Sequence, residues 1–119
     1  MSDTISLRGL RVRGHHGVFD FERRDGQDFI VDVELELDLA QAAATDDVAD
    51  TVHYGELAGR LVTVIAGEPV NLIETLADRL AAVCLADPRV AAATVTVHKP
   101  QAPIPHEFGD VAVTLRRTR

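Results

Sequence analysis

The feature that most constrains this fold is an alternation of apolar and acidic residues between positions 27 and 39. The acids are Asp32, Glu34, Glu36 and Asp38, and the apolar residues are Phe29, Val31, Val33, Leu35, Leu37 and Leu39. A period of two over this length predicts a long β-strand with one buried face. The acidic face must meet solvent or a neighbouring strand, and the polar or basic residues available there are Thr94, Thr96, His98 and Arg116.

Weaker periodic patterns predict the other elements. Further strands are expected at residues 4–12, 93–99 and 110–117, and helices at 54–66 and 72–86. A shift of apolar parity at Gly9 indicates a β-bulge in the first strand. Residues 13–23 are expected to form a loop, residues 40–50 a connector with room for a short helical turn, and Asn71 is a candidate N-cap of the second helix. The buried face of that helix is predicted to comprise Leu72, Ile73, Leu76, Leu80, Val83 and Cys84.

The resulting order, ββααββ, predicts the α+β class, with a four-stranded antiparallel sheet and two helices on one of its faces. The 119 residues suffice for a single domain that spans positions 1–119. Open sheet edges favour aggregation, so we expect other copies of the chain to cover them in a homo-oligomer.

The composition argues against several classes of function. The net charge of −7 argues against nucleic acid as a partner, because phosphate binding needs a basic surface. No apolar run approaches the ~20 residues of a transmembrane helix, and the first residues do not resemble a signal peptide. With Cys84 as the single cysteine, these features predict a cytoplasmic protein that does not associate with membranes.

Four polar residues are candidates for a functional site, namely Glu22, Tyr54, Glu74 and Lys99. Pro100 directly follows Lys99 and should end strand pairing, which places Lys99 at the last rung, where it can reach into a cleft. Each candidate also has a structural explanation. These are a surface ion pair for Glu22, a half-buried ring for Tyr54, a helix cap for Glu74 and a charged strand end for Lys99.

The sequence contains no recognisable metal or cofactor motif. None of the five histidines has the HExxH spacing of a zinc site; they are His15, His16, His53, His98 and His106. No glycine-rich phosphate loop is present, and Cys84 on an apolar helix face would be a poor nucleophile. We therefore predict neither a metal nor a cofactor.

Four segments together carry a resemblance to a known family. Residues 14–18 with 22–23 are similar to an HGV…ER loop, residues 50–54 to D-T-V-x-Y, residues 72–75 to L-I-E, and residues 99–105 to K-P-x-A-P. These motifs, in this order and at compatible spacing, are those of the dihydroneopterin aldolases. The sequence therefore resembles that family over nearly its whole length.

The resemblance implies the tunnelling fold, in which sheets from several subunits join into an oligomeric β-barrel. The assembly is commonly a tetrameric ring, with two rings stacking into an octamer and active sites between subunits. The implied activity is that of a lyase of folate biosynthesis, which cleaves 7,8-dihydroneopterin by a retro-aldol reaction to 6-hydroxymethyl-7,8-dihydropterin and glycolaldehyde. Epimerisation at C2′ is the side activity that the resemblance implies.

The resemblance also implies roles for individual residues. Those implied in catalysis are Lys99, Tyr54 and Glu22, and those implied in substrate binding are Glu74, Val52, Leu72 and Ile73. Lys99 would act as the acid at N5 of the pterin, with Glu22 holding it in place. Tyr54, from a neighbouring subunit, would protonate the enol intermediate. Glu74 would anchor the pterin ring.

Three alternatives stay open at this point. A dihydroneopterin triphosphate epimerase on the same fold would need cations for three phosphates, and Arg13, Arg23 and Arg24 are in or next to the predicted loop at residues 13–23. A dihydroneopterin oxygenase activity could take the place of the aldolase. From a different class, a non-catalytic pterin-binding module could keep the fold, although such a module would have no need of Lys99.

Overall fold

Four antiparallel strands in the order β1-β2-β3-β4 form the sheet of the computed structural model, which describes residues 3–119. The strands are β1 (Asp3–Gly14), β2 (Gln27–Leu37), β3 (Ala92–His98) and β4 (Ala112–Thr118). The helices are α1 (Asp20–Asp25), α2 (Ala40–Thr45), α3 (Tyr54–Ala66) and α4 (Ile73–Leu85), with one 3₁₀ turn at Val48–Asp50. Both long helices pack against the sheet. The predicted ββααββ order and the α+β class are confirmed.

Strand β2 supplies the centre of the hydrophobic core, as its alternation predicts. Its five inward side chains are at most 2% exposed, and they are Phe29, Val31, Val33, Leu35 and Leu37. Fully burying a side chain of this kind stabilises the fold by about 2 kcal/mol. The five apolar side chains therefore largely determine which face of the strand points into the core. The strand ends at Leu37, two residues before the predicted end, and Leu39 is only half-buried.

The acidic face of β2 finds partners on the neighbouring strand β3 and on β4, the strand beyond it, among the residues that the sequence analysis named. The guanidinium of Arg116 donates to the Glu36 carboxylate at 2.8 Å, and the His98 ring lies 2.7 Å from Asp32. In the sheet register Thr94 lies opposite Glu34. The hydrogen bond from Arg116 lowers the pKa of Glu36, so that carboxylate stays charged.

The predicted bulge in β1 is confirmed at Gly9. The register of β1 against β2 shifts between Leu7 and Leu10, and Gly9 has a φ of 73°. That left-handed conformation favours glycine over residues that carry a Cβ. The freed N–H of Gly9 donates to the Asp32 side chain at 2.8 Å, which fixes that carboxylate from the β1 side.

The segment predicted as a loop at residues 13–23 is only partly a loop, because its second half is helix α1. Its first half is fixed by the fully buried ring of His16. The His16 Nε2 donates to the Ile65 carbonyl at 2.7 Å, and its Nδ1 accepts from the Val70 N–H at 3.1 Å. Burial lowers the pKa of His16, so the ring is held neutral. His16 is therefore structural, and it ties the loop to the segment between α3 and α4.

Helix α4 begins differently from the prediction. Its N-cap is Leu72, so Asn71 lies outside the helix, and the prediction of an Asn71 cap is wrong. The Leu72 side chain is 49% exposed and does not belong to the buried face. The residues of α4 that are buried are Ile73, Leu76, Ala77, Leu80, Ala81 and Cys84. Two of these buried residues, Ala77 and Ala81, are alanines, which the sequence analysis did not include because it looked for large apolar residues.

Within residues 3–119, no helix is long and apolar enough to span a membrane.

Candidate active site

A buried ion pair between Lys99 and Glu22 is the centre of the candidate site. Lys99 Nζ lies 2.7 Å from Glu22 Oε2, and the two side chains are only 13% and 3% exposed. Lys99 directly follows β3, and its backbone N–H still donates to the Val111 carbonyl at 2.7 Å. It is also the only lysine in the sequence. The Lys99 amine, the only lysine amine in the sequence, is thus held at the end of β3 by the buried carboxylate of Glu22.

The Glu22 carboxylate on helix α1 accepts hydrogen bonds from three donors that lie outside the helix. Its Oε2 accepts from Lys99 and from the Gln27 amide at 3.0 Å, and its Oε1 accepts from the Phe19 N–H at 3.3 Å. Burial raises the pKa of Glu22, but these hydrogen bonds outweigh it and the pKa is lowered overall. A carboxylate with a lowered pKa is a poor proton acceptor. Glu22 is therefore suited to positioning the Lys99 ammonium.

Gly17 is required for this arrangement because of the space that it leaves. A Cβ at Gly17 would lie 2.4 Å from the carboxyl carbon of Glu22, too close for any side chain. The Gly17 N–H also donates to the Val70 carbonyl at 2.9 Å. The glycine before Val18 thus lets the loop pass directly over the Glu22 carboxylate.

Five of the seven predicted site residues line one cleft of about 260 Å³. They are Glu22, Leu72, Ile73, Glu74 and Lys99, and the proline loop (residues 99–111) supplies Ala102, Pro103, Ile104 and Val111 to the same cleft. Glu74 lies in the first turn of α4 with an exposed carboxylate. Because the N-cap is Leu72, Glu74 is not in the N3 position of a capping box, and its carboxylate can face a ligand.

The other two predicted site residues, Val52 and Tyr54, line a different cavity of about 390 Å³. Tyr54 opens helix α3, and its side chain is 66% exposed. His53 caps that helix by accepting the Glu56 N–H at 3.2 Å, a role that the sequence analysis did not assign. The folded chain therefore groups the seven residues into two sets, one at each of two cavities.

The arginines considered for phosphate binding have partners inside the chain. Arg24 pairs with Asp25 at 2.9 Å, and Arg13 lies 3.7 Å from Asp28. Arg23 donates to the Gly17 carbonyl at 3.1 Å and to the Asn71 side chain, so it connects two segments at the edge of the cleft.

None of the described residues forms a cluster of three or more His, Cys, Asp or Glu side chains that could hold a metal ion.

The family of the chain follows from comparison with known proteins. The family model described as FolB: Dihydroneopterin aldolase matches residues 5–116. The chain belongs to the dihydroneopterin aldolase family. A dihydroneopterin aldolase of Streptomyces coelicolor is 58% identical over 117 residues, which cover 98% of both chains. The resemblance drawn from the four sequence motifs is thus confirmed.

Two solved structures of dihydroneopterin aldolases are similar to the whole fold. The Escherichia coli enzyme in complex with neopterin has a TM-score of 0.88 and 30% identity, and covers 97% of this chain and 98% of that one. The Burkholderia thailendensis enzyme bound to guanine has a TM-score of 0.82 and 27% identity, and covers 99% of this chain and 92% of that one. The α+β sheet described above is therefore the dihydroneopterin aldolase fold.

Replacing Glu22 with glutamine tests its positioning role. Because the amide removes the charge that faces Lys99, we expect kcat to fall about 10- to 100-fold with a smaller change in pterin affinity. Stopped-flow kinetics with 7,8-dihydroneopterin and equilibrium binding of 6-hydroxymethyl-7,8-dihydropterin would separate the two quantities. Asp25→Asn, an exposed acid at the other end of α1, is the matched control. A Glu22→Gln variant with unchanged kcat would contradict the role.

Proposed function

We propose that this chain cleaves 7,8-dihydroneopterin by a retro-aldol reaction to 6-hydroxymethyl-7,8-dihydropterin and glycolaldehyde. The observation that carries the proposal is the buried Lys99–Glu22 pair, which shares one cleft with the open carboxylate of Glu74. The cleft thus combines an anchor for a planar heterocycle with a proton donor beside it, and a base or a water molecule that takes the hydroxyl proton completes what this cleavage needs.

Glu74 is suited to hold the pyrimidine edge of the pterin. Its two carboxylate oxygens can accept one hydrogen bond each from the 2-amino group and the ring N3–H, a paired and planar contact. The neopterin and guanine named for the two similar structures share an edge with an amino group, a ring N–H and a carbonyl in the same order, which is 2-amino-4-oxo in neopterin and 2-amino-6-oxo in guanine. Leu72 and Ile73, which flank the carboxylate in the cleft, would cover the apolar faces of the ring.

The substrate itself supplies the electron sink for the cleavage. A base or water takes the proton of the 2′-hydroxyl, and the electron pair of the C1′–C2′ bond moves into a new C6=C1′ bond. The C6=N5 imine accepts the displaced pair as N5 gains a proton, and C2′ and C3′ leave as glycolaldehyde. Protonation of C1′ and loss of the N5 proton then give the hydroxymethyl product.

Lys99 and Tyr54 are the proposed proton donors. The Lys99 ammonium, aimed into the cleft by Glu22, is placed to protonate or hydrogen-bond N5 as the enamine forms. Tyr54 would deliver the later proton to C1′, directly or through water. Lys99 needs no covalent bond to the substrate in this scheme, because the imine is already present.

A homo-oligomer would bring the two sets of residues together. The cleft at Lys99 has about 260 Å³, below the ~300–1,000 Å³ usual for small-molecule sites, and Tyr54 is exposed at a separate cavity. A second copy that presents its Val52 and Tyr54 to this cleft would complete the site and cover open sheet edges. A tetrameric ring and its stacked octamer are the proposed assemblies. We place the enzyme in the cytoplasm, where the single buried Cys84 would stay reduced.

Tyr54→Phe is expected to change which product forms. Without the phenol, the enol intermediate should persist and the aldolase product should form about 100-fold more slowly. In air the intermediate would then react with oxygen to give a dihydroxanthopterin-type product. Product analysis in air and under nitrogen checks this, because only the aerobic sample should contain the oxidised pterin. Normal yields of the hydroxymethyl product in both would contradict the assignment to Tyr54.

The proposed activity is tested by incubating the purified protein with 7,8-dihydroneopterin, once under nitrogen and once in air, and identifying the products. Equal amounts of glycolaldehyde and 6-hydroxymethyl-7,8-dihydropterin are expected. Release of the C2′ epimer alone, or of oxidised pterin alone in air, would point to an epimerase or an oxygenase. Tight pterin binding without any product would point to a non-catalytic binding module.

A further inference from the structure

His98, the residue before Lys99, is held between two carboxylates on the other face of β3. Its Nε2 lies 2.7 Å from Asp32 Oδ2, and its Nδ1 lies 2.7 Å from Asp110 Oδ2. Asp32 is on β2, and Asp110 closes the proline loop just before β4. The ring thus bridges two parts of the chain that lie on either side of β3.

The geometry requires a proton on both ring nitrogens. A neutral imidazole has one N–H and one acceptor nitrogen, whereas both nitrogens of His98 face ionisable oxygens at hydrogen-bond distance. An imidazolium satisfies both contacts, and each becomes a charge-assisted hydrogen bond. Consistent with this, the hydrogen bonds to Asp110 and then to Asp32 raise the pKa of His98.

The two contacts of His98 affect Lys99 through the proline loop. Asp110 precedes Val111, whose carbonyl accepts the Lys99 N–H at 2.7 Å. Ala102 and Ile104 of the same loop line the cleft. At the other end, Asp32 also accepts the Gly9 N–H at 2.8 Å, so the loop is tied to a rigid point of the sheet.

We propose that His98, bound as an imidazolium to Asp32 and Asp110, is a positioning residue that fixes the proline loop and thereby the approach of Lys99 to the substrate. This inference rests on the proposed aldolase function of the cleft. His98 is not among the residues that line the cleft, so it acts only through the segment that follows it.

The proposal makes the position of the loop depend on pH. When pH rises through the pKa of His98, one ring N–H is lost, one carboxylate loses its donor, and the loop loosens. Asp32 faces His98 from β2 and Asp110 from the loop, and Arg8 of β1 lies beside Asp32. Strand β4 places Ala112 opposite His98 and contributes no charge there. The two aspartates therefore set the midpoint of the transition.

The experiment compares wild type with His98→Gln, Asp110→Asn and the matched control His106→Gln, an exposed histidine of the same loop. Steady-state kinetics with 7,8-dihydroneopterin are measured from pH 6 to 10, and the His98 ring nitrogens are followed by ¹⁵N NMR. We expect His98→Gln to lower kcat about tenfold at pH 7 and to abolish the decline of kcat that tracks the His98 titration. Asp110→Asn should move both the kinetic and the NMR midpoints to lower pH.

Equal pH profiles for His98→Gln and His106→Gln would overturn the proposal, and so would a His98 ring with a single N–H at pH 7. If the wild type leaves dihydroneopterin intact, the proposed function fails, and amide exchange decides the positioning role. The Ala102 and Ile104 amides, which are hydrogen-bonded within the loop, should exchange faster in His98→Gln than in His106→Gln. Equal exchange rates would overturn the inference.

Discussion

Lys99→Ala is expected to lower kcat about 1,000-fold while the dissociation constant for the pterin changes no more than about threefold. The size of this decrease in kcat follows from the loss of a positioned general acid, which commonly contributes about 10²–10⁴ to the rate. Pterin affinity should persist because the Glu74 anchor stays in place. Single-turnover kinetics beside fluorescence binding of the product would measure both quantities. A variant with near-normal kcat would remove Lys99 from the mechanism.

Lys99→Arg tests whether Lys99 acts by donating a proton or by its positive charge alone. The guanidinium keeps a positive charge beside Glu22 but does not give up a proton at any ordinary pH. If Lys99 acts as the acid at N5, Lys99→Arg should be nearly as slow as Lys99→Ala. Recovery of most of the activity by arginine would instead show that the charge alone stabilises the developing negative charge at N5.

Glu74→Ala is expected to weaken pterin binding at least about 100-fold. Two hydrogen bonds to a charged group are lost, each worth about 1.5–3 kcal/mol. Isothermal titration with 6-hydroxymethyl-7,8-dihydropterin measures the change. Glu56→Ala is the matched control, since Glu56 is an exposed acid in the first turn of the other long helix. Equal affinity of the two variants would contradict the anchoring role of Glu74.

Strand β2 and the two long helices could be predicted from the sequence because one periodic signal dominates each. Helix α3 begins and ends where the pattern indicated, at Tyr54 and Ala66. Helix α1 is not predicted because its six residues, Asp20–Asp25, are too few to show a helical period. The Glu22 carboxylate caps the start of the helix by accepting the Phe19 N–H, and it is buried in an ion pair with Lys99, which lies far along the chain. This long-range ion pair adds to the local cap, and no local period in the sequence predicts it.

The candidate site was predicted from motifs, and its supporting contacts were not. Gln27 shapes the pocket of Glu22 through an amide contact that has no sequence signature, and Gly17 shapes it through the lack of a Cβ, a reason that the HGV motif does not reveal. Asn71 was assigned as a helix cap on local spacing, whereas the structure pairs it with Arg23, 48 positions away. Long-range pairing of this kind cannot be read from neighbouring residues.

In the proposed oligomer, Lys99 of one chain and Tyr54 of another act on the same pterin. Lys99→Ala and Tyr54→Ala chains, each with its own tag, are co-expressed, and oligomers that carry both tags are purified. Glycolaldehyde release from 7,8-dihydroneopterin is then measured. Random assortment leaves about a quarter of the sites with both wild-type residues, so we expect about a quarter of the wild-type rate. Mixed oligomers no more active than either parent would contradict a site shared between subunits.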